Sequence, residues 1–454
     1  MEFLNRSHET QILTPLLSRK KPSFIVIYGR RRCGKTTLIH QVLKKGDVFY
    51  QSDRQESAVQ REQLVKTVGE VLEIPYEAIF RSWEALLMDL NRMLSHGQTL
   101  VLDEFPYILK NEPELPSILQ RLIDGKKLTY NLIVCGSSQN SMSEMVRSSQ
   151  EPLYGRADAI LKIMPLAPGW ILDGLNLAAE EGIREFSIWG GVPRYWELRS
   201  DYKSLESALS HLVFRRDSIL QDEPMRLLHD NLRSAIQPYT ILTMIGQGVH
   251  RPSEIAGRLG KGLSGLADSF QKLIELGFIR REIPFGESIR SSKRTVYKID
   301  DPFMAFYFRF VLPNKQRIDM GMGDRVLKQV LLHLDEFVAS EWEHLCRTAL
   351  PFLSIQGMDW DLASRWWGAG LNAQEIEIDG VAQTLDKKHI LFAEAKWSLK
   401  PDPNGALAQL EKNIDNCKKF GSHKVIKVLF TRREASGSGY VEQFTPRDVL
   451  QVLK

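Results

Sequence analysis

At 454 residues, 43% hydrophobic and 26% charged, the chain has the composition of folded protein, and about 150 residues per domain gives about three domains. It is neither collagen-like nor disordered, has no apolar run long enough to span a membrane, and opens without the apolar stretch of a secretion signal. The net charge is +4, and residues 239–300 alone hold ten Lys/Arg against six Asp/Glu, so the surplus is concentrated where a nucleic-acid footprint could lie.

Three short apolar runs come first: Phe24 to Tyr28, Thr99 to Leu102, and Leu132 to Cys135. They are continuous rather than alternating, as in strands buried on both faces of a parallel sheet. Helical patterns lie between them, at Thr37 to Leu43 and Trp83 to Leu94, which is a βαβ rhythm. From Pro165 to Ser234 the pattern is helical, at Ile171 to Ala179 and Leu205 to Leu212, with Gly190 to Pro193 as a turn. Tyr239 to Ile245, Arg251 to Ala256 and Leu263 to Leu276 read as three further helices, followed by strands at Phe278 to Arg281 and Arg294 to Ile299. Three helices and a hairpin predict a winged helix-turn-helix. The last segment predicts a helix over Leu334 to Leu350, strands over Glu375 to Ala382, Ile390 to Trp397 and Val425 to Thr431, and a helix over Ala406 to Cys417. Cys33, Cys135, Cys346 and Cys417 are far apart and form no CxxC pair, so neither a disulfide framework nor a zinc site is expected, and a cytoplasmic setting fits.

The first run leads into Gly29-Arg30-Arg31-Arg32-Cys33-Gly34-Lys35-Thr36-Thr37 and then a helix. This is G-x-x-x-x-G-K-T between a strand and a helix, the pattern of a phosphate cradle. Gly29 and Gly34 let backbone amides converge on an anion, and the helix presents its N-terminus to it. Lys35 would neutralise phosphate charge and Thr36 would ligand Mg²⁺, with Arg30 and Thr37 completing the pocket. The second run ends in Asp103-Glu104: Asp103 would hold the magnesium through water and Glu104 would polarise the attacking water. The third ends in Gly136-Ser137-Ser138-Gln139, where Ser137 or Ser138 could sense the terminal phosphate.

These motifs, with Leu102-Asp103-Glu104-Phe105-Pro106-Tyr107, Pro152-Leu153-Tyr154-Gly155-Arg156 and the opening Phe3-x-x-Arg6-x-x-Glu9, resemble the archaeal-type ATPase family, a branch of the AAA+/STAND P-loop ATPases. The resemblance implies ATP as the nucleotide and Arg156 as an arginine finger or phosphate sensor. Such a finger acts in cis or from a second copy in a homo-oligomer. Gly191-Val192-Pro193 resembles the Gly-x-Pro of the STAND helical lid, where the proline lies near adenine.

In the basic segment, Lys261, Lys272, Arg280, Arg281, Arg290, Lys293 and Arg294 would surround the helix from Leu263 and its wing, where they can contact DNA phosphates. Further on, Asp379 ends a run whose acids share one strand face, and Glu394 and Lys396 share a face of the next. Asp379 and Glu394 could converge on a divalent metal, with Glu343 as a further ligand, Lys396 orienting a water and Gln409 assisting. Trp342-Glu343, Arg365-Trp366-Trp367-Gly368, Glu377-Ile378-Asp379 and Glu394-x-Lys396-Trp397 resemble the PD-(D/E)xK nuclease fold and the domain of unknown function that commonly follows these ATPases.

The expected architecture is multidomain α/β: a P-loop NTPase parallel sheet over 1–165, a helical lid over 166–236, a winged helix-turn-helix over 237–312, and a restriction-endonuclease-like α/β domain over 313–454. The expected function is a cytoplasmic ATPase that uses Mg²⁺ and controls a DNA-binding, DNA-cleaving module, with Mn²⁺ also acceptable at the nuclease-like site. The alternatives are a DNA-binding regulator that does not cut and a STAND-type signalling switch. No membrane partner is expected.

Overall fold

The continuous apolar runs stack as expected of strands buried on both faces. In the computed structural model, which describes residues 3–454 except 233, 291, 372–373, 418–419, 421–422 and 435–440, they form a five-stranded sheet. Its strands are β1 (Phe24–Gly29), β2 (Val48–Gln51), β3 (Thr99–Asp103), β4 (Asn131–Gly136) and β5 (Ala159–Ile163). The order is β2-β3-β4-β1-β5, and every pairing is parallel. Every residue of β1, β3 and β4 is buried. The two strands absent from the sequence reading are the sheet's edges. β2 has only four residues, and β5 carries Lys162 and buries only two of its five.

The helix Trp83–Met93 shows how the sheet is covered. Ser82 caps its N-terminus by accepting from the Ala85 amide, and Trp83, Leu86, Leu87 and Leu90 turn one face into the core. Each such leucine contributes about 2 kcal/mol of burial. Glu2–Pro165 together with His229–Arg233 make one compact unit; Leu166–Leu228 and Ser234–Lys454 make the other.

Helices open the second unit. The run read as one helix from Ile171 to Ala179 is two: Ile171–Leu175 ends where Asn176 adopts a left-handed φ of 52°, and Ala179–Trp189 follows. Pro193 starts the helix Pro193–Ser200, its fixed φ suiting the first turn. Arg199 is buried against Glu185 at 2.6 Å, and the Trp189 indole also donates to Glu185.

Next come the helices Ile236–Gly246, Pro252–Arg258 and Ser264–Glu275 and the antiparallel hairpin β6 (Ile279–Glu282) and β7 (Val296–Ile299). The helix Leu334–Ala349 then leads into a mixed sheet. Its strands are β8 (Ser364–Ala369), β9 (Glu375–Gln383), β10 (His389–Lys396), β11 (Lys424–Thr431) and β12 (Glu442–Phe444), in the order β12-β11-β10-β9-β8. β8-β9 and β9-β10 run antiparallel, while β10-β11 and β11-β12 run parallel. β8 and β12 lay outside the sequence reading. β8 pairs through a register shift between Ser364 and Trp366, which breaks the simple alternation.

The hairpin is joined to this sheet. The Phe285 amide donates to the Arg365 carbonyl at 2.8 Å, and the Arg294 guanidinium donates to the Trp367 carbonyl. The Phe285 ring packs against the core of Trp366, Ile378 and Phe392.

Candidate functional site

The phosphate-loop pattern folds at the C-terminal end of β1, where a parallel sheet presents its binding edge. Two glycines are needed there for different reasons. A Cβ on Gly29 would come within 2.3 Å of the Ile163 carbonyl on β5, and Gly34 adopts a φ of 84°. Gly34 caps the helix Lys35–Val42. The Lys35 ammonium, buried, donates to the carbonyls of Gly29 at 3.0 Å and Arg30 at 3.1 Å. It is held on the loop by acceptors that phosphate oxygens can replace. Thr37 is exposed on the next position of the same helix.

Thr36 Oγ1 donates to Asp103 Oδ2 at 3.1 Å, across from β1 to the end of β3. Asp103 Oδ1 accepts from the Glu104 amide at 2.9 Å. A hydroxyl and a buried carboxylate, both hard oxygen donors, thus adjoin beside the loop, and this donor set fits Mg²⁺. Glu104 sits in the left-handed region, φ 50°, which turns its side chain from the strand towards β4. There Glu104 Oε2 accepts from Ser137 Oγ at 2.8 Å and from the Ser137 amide at 3.3 Å. Of the two serines left open by sequence, Ser137 is the one bonded to the acid. Lys35, Thr36, Asp103, Glu104 and Ser137 are therefore brought together.

Two residues that pattern reading missed adjoin them. Asp230 pairs with Arg31 of the loop at 3.1 Å, and the Asn231 side chain accepts from the Gln139 amide at 3.1 Å. Nothing in the residues around 230 resembles a nucleotide motif, so only the fold could reveal them.

Arg156 is placed elsewhere. Its guanidinium forms a two-nitrogen pair with Asp124, Nε and Nη2 each at 2.9 Å, at the end of the helix Leu115–Asp124. In this arrangement it is occupied as a surface ion pair, not engaged with the loop. Pro193 belongs to the other compact unit.

The acids of the second sheet stand on neighbouring elements: Glu343 on the helix Leu334–Ala349, Asp379 on β9, and Glu394 and Lys396 on β10. Lys396 Nζ pairs with Glu394 at 2.5 Å, and Asp379 Oδ2 accepts from the Ala395 amide at 2.9 Å. Burial, then the charge of Asp379, pushes Glu343 and Glu394 each up to about 7. Burial raises Asp379 as well. Burial works against the charged form of Lys396, but its bond to Glu394 prevails and raises it. Arg347, one turn after Glu343, donates to the Asp379 carbonyl at 2.8 Å. Gln409 donates instead to Asn413 at 2.9 Å.

The expected three-acid metal cradle is not assembled. Among the described residues no group of three or more His, Cys, Asp or Glu side chains is set to hold a metal ion. The acids share an electrostatic field rather than a ligand shell, because Asp379 is turned to the β10 backbone and Glu394 to Lys396.

The basic hairpin also differs from expectation. Arg280 is only 17% exposed and pairs with Glu282 at 2.8 Å and Asp300 at 3.3 Å. Burial opposes the charge of Glu282, yet Arg280, Arg347 and Arg365 hold its carboxyl below the usual range. Arg365 joins Glu282 at 3.0 Å and also binds Glu377. Arg281 is taken by the Ile289 carbonyl and Thr295, and Arg294 by Glu287 and Trp367. Arg280 and Arg294 thus serve the junction with the second sheet. Lys261, Arg290 and Lys293 remain exposed.

Comparison with known proteins agrees with the loop geometry. Residues 3–192 match an ATPase domain predominantly from Archaea, and residues 307–406 match a group described as archaeal and bacterial proteins of unknown function. An uncharacterized protein of Methanocaldococcus jannaschii is 31% identical over 412 residues, 87% of each chain. Among solved structures, the Walker-type ATPase of Pyrococcus abyssi is similar, with a TM-score of 0.50 and 17% identity, covering 68% of this chain and 96% of that one. The ORC2 protein of Aeropyrum pernix gives a TM-score of 0.44 at 16% identity, covering 70% and 96%.

Proposed function

The chain belongs to the archaeal-type ATPase family, and from that premise we propose that it is a Mg²⁺-dependent ATP hydrolase whose nucleotide state governs a DNA-directed C-terminal module. The observation that carries the first half is the hydrogen-bonded constellation Lys35, Thr36, Asp103, Glu104 and Ser137 on adjacent strand ends. Gly29, Arg30, Gly34 and Thr37 complete the cradle. Thr36 and Asp103 would hold the magnesium, which supplies charge neutralisation on the transferred phosphoryl oxygens. Lys35 would exchange the Gly29 and Arg30 carbonyls for phosphate. Glu104 must exchange Ser137 for the attacking water, so its bond to Ser137 describes a resting arrangement. Arg156 would have to leave Asp124 to act as a finger, in cis or towards a second copy. Pro193 is assigned to the adenine by family resemblance.

The DNA-directed half rests on the basic segment and on Asp379, Glu394 and Lys396 lying on adjacent strands with Glu343 beside them. Repulsion among these acids is what a divalent cation, Mg²⁺ or Mn²⁺, would relieve. The test is plasmid cleavage by the purified chain with either ion, with and without ATP. Nicking by wild type but not by Asp379→Ala supports cleavage; equal inertness of the two removes it.

A second reading is favoured by the inward turn of Arg280. A hairpin whose arginine is spent on Glu282 and Asp300 suits an intramolecular packing module in a signalling switch. That reading expects no DNA affinity at moderate salt and a nucleotide-dependent mass by light scattering. A regulator that grips DNA without cutting expects salt-sensitive retention that survives Glu394→Ala.

A further inference from the structure

Where the helix Ile236–Gly246 ends, the hairpin β6–β7 and the helix Leu334–Ala349 line an open pocket of about 130 Å³. Its charged groups are unequally answered. His250 Nδ1 lies 3.1 Å from the Tyr297 carbonyl, the geometry of an N–H donor, which leaves Nε2 as an acceptor. Lys298 Nζ donates to that nitrogen at 3.1 Å. Burial, then the charge of Lys298, lowers His250 to about 4, so the imidazole is neutral. Among the described residues no carboxylate lies within 4.0 Å of the Lys298 ammonium, which keeps two further hydrogens to give.

Arg309 lines the same cavity. Its guanidinium lies over the Phe310 ring, 5.5 Å from the centroid, and among the described residues it too has no carboxylate within 4.0 Å. The third cation, Arg280, is already matched by Glu282 and Asp300. Glu341 also lines the cavity, and burial, against the pull of Arg280, pushes its carboxyl up to about 7, so below that pH it is mostly the neutral acid. Glu336, at the exposed rim, faces His333 at 3.6 Å. Ser340 adds a hydroxyl.

We infer that this cavity binds the head group of a phosphate monoester through Lys298 and Arg309. The donors suit phosphate because an ammonium, a guanidinium and a hydroxyl can each meet one of the three terminal oxygens that a monoester phosphate presents, and two cations match its dianionic charge. The pocket, at about 130 Å³, has room for the head group and opens to solvent beside the exposed Arg309 and Glu336, where the ligand's remainder would project outwards. Burial, then the nearby Arg365, depresses Lys298, and a bound dianion would reverse that. This site is separate from the ATP reading and does not depend on it.

The test uses the full chain carrying Lys35→Ala, which silences the phosphate loop, and compares it with the same chain carrying in addition Lys298→Met or Arg309→Gln. Equilibrium dialysis with radiolabelled inorganic phosphate should find one bound ion per Lys35→Ala chain, weakened at least tenfold by either second substitution. Arg309 is exposed, so Arg309→Gln decides the matter should Lys298→Met fail to fold. Matched oligonucleotides with 5′-phosphate or 5′-hydroxyl ends identify the source. A tenfold preference for the phosphorylated end, erased by Lys298→Met or Arg309→Gln, assigns the site to DNA ends; phosphate binding without that preference assigns it to a small phosphorylated ligand. No bound phosphate in the Lys35→Ala chain, or binding indifferent to Arg309→Gln, overturns the inference.

Discussion

In the first sheet, charged and polar side chains satisfy one another at the strand ends. Lys35 rests on two carbonyls, Thr36 on Asp103, and Glu104 on Ser137. In the second sheet, three acids are crowded onto neighbouring elements, and burial with mutual repulsion drives Glu343 and Glu394 up to about 7. Both regions set acids beside a lysine at the ends of strands, but only the first arranges them as an assembled site. Charged residues of the right type, close in space, are therefore not yet a catalytic centre. The first region needs only its ligand to exchange partners, whereas the second must also turn Asp379 and Glu394 from the groups that hold them.

The largest effect should come from Lys35→Ala. Losing a charge-assisted contact to phosphate costs about 3 kcal/mol, or about 100-fold in ATP affinity, and hydrolysis should fall to background. Isothermal calorimetry with Mg²⁺ present measures the first and phosphate release the second. Undiminished affinity would mean that the loop is not the nucleotide site. Glu104→Gln should separate binding from turnover: ATP affinity within about threefold of wild type, and kcat down by about 100-fold, the usual worth of a general base. A Glu104→Gln chain that still turns over would move the base elsewhere.

The sequence made the first region legible because its chemistry is local. Gly29 to Thr37 is one continuous segment, and the acids of Asp103-Glu104 directly follow a buried strand. What stayed hidden depends on distant partners. β2 and β5 are short edges whose identity as strands comes from pairing with β3 and β1. Asp230 reaches Arg31 across about 200 residues of chain. The hairpin shows the same limit. Arg280 and Arg281 are adjacent basic residues on one strand, so charge alone suggests a shared DNA face, yet alternation sends Arg280 inward to Glu282 and leaves Arg281 on the surface. Likewise, the acids of β9 and β10 were readable as neighbours, but not the Ala395 amide that captures Asp379.

That split within the hairpin gives the next test. Arg280→Glu would place a third acid beside Glu282 and Asp300 in a mostly buried site, and should destabilise the chain by about 3–5 kcal/mol. Arg281→Glu, at the surface, should change stability by less than about 0.5 kcal/mol. Thermal denaturation followed by circular dichroism compares them. If the chain grips DNA through the hairpin, Arg281→Glu alone lowers retention while leaving the fold intact. Equal stability of the two variants would mean that Arg280 is not locked in the junction.

The smallest effect tests whether the second region is held under electrostatic tension. Glu394 is almost fully buried, and its folded value of about 7 exceeds the unfolded value of about 4.3. The folded state therefore binds this proton more tightly. The stability it contributes is complete below about pH 4.3 and is lost as pH rises through about 7, at up to about 1.4 kcal/mol per pH unit. Glu282, whose folded value is lowered, acts oppositely: its contribution is present above about pH 4.3 and is lost as pH falls below that. Glu341, pushed up to about 7, and His250 and His344, both lowered, titrate in or beside the same range, so the acid cluster is read from the difference between wild type and Glu394→Gln in a urea-denaturation series from pH 5 to pH 7.5. Relative to Glu394→Gln, uncharged throughout, wild type should lose stability as pH rises across that range. A divalent ion that binds the cluster should flatten the wild-type slope but not that of Asp379→Asn. Identical slopes for wild type and Glu394→Gln would show that the second region, like the first, carries no uncompensated charge, and would remove the electrostatic reason for a cation to bind there.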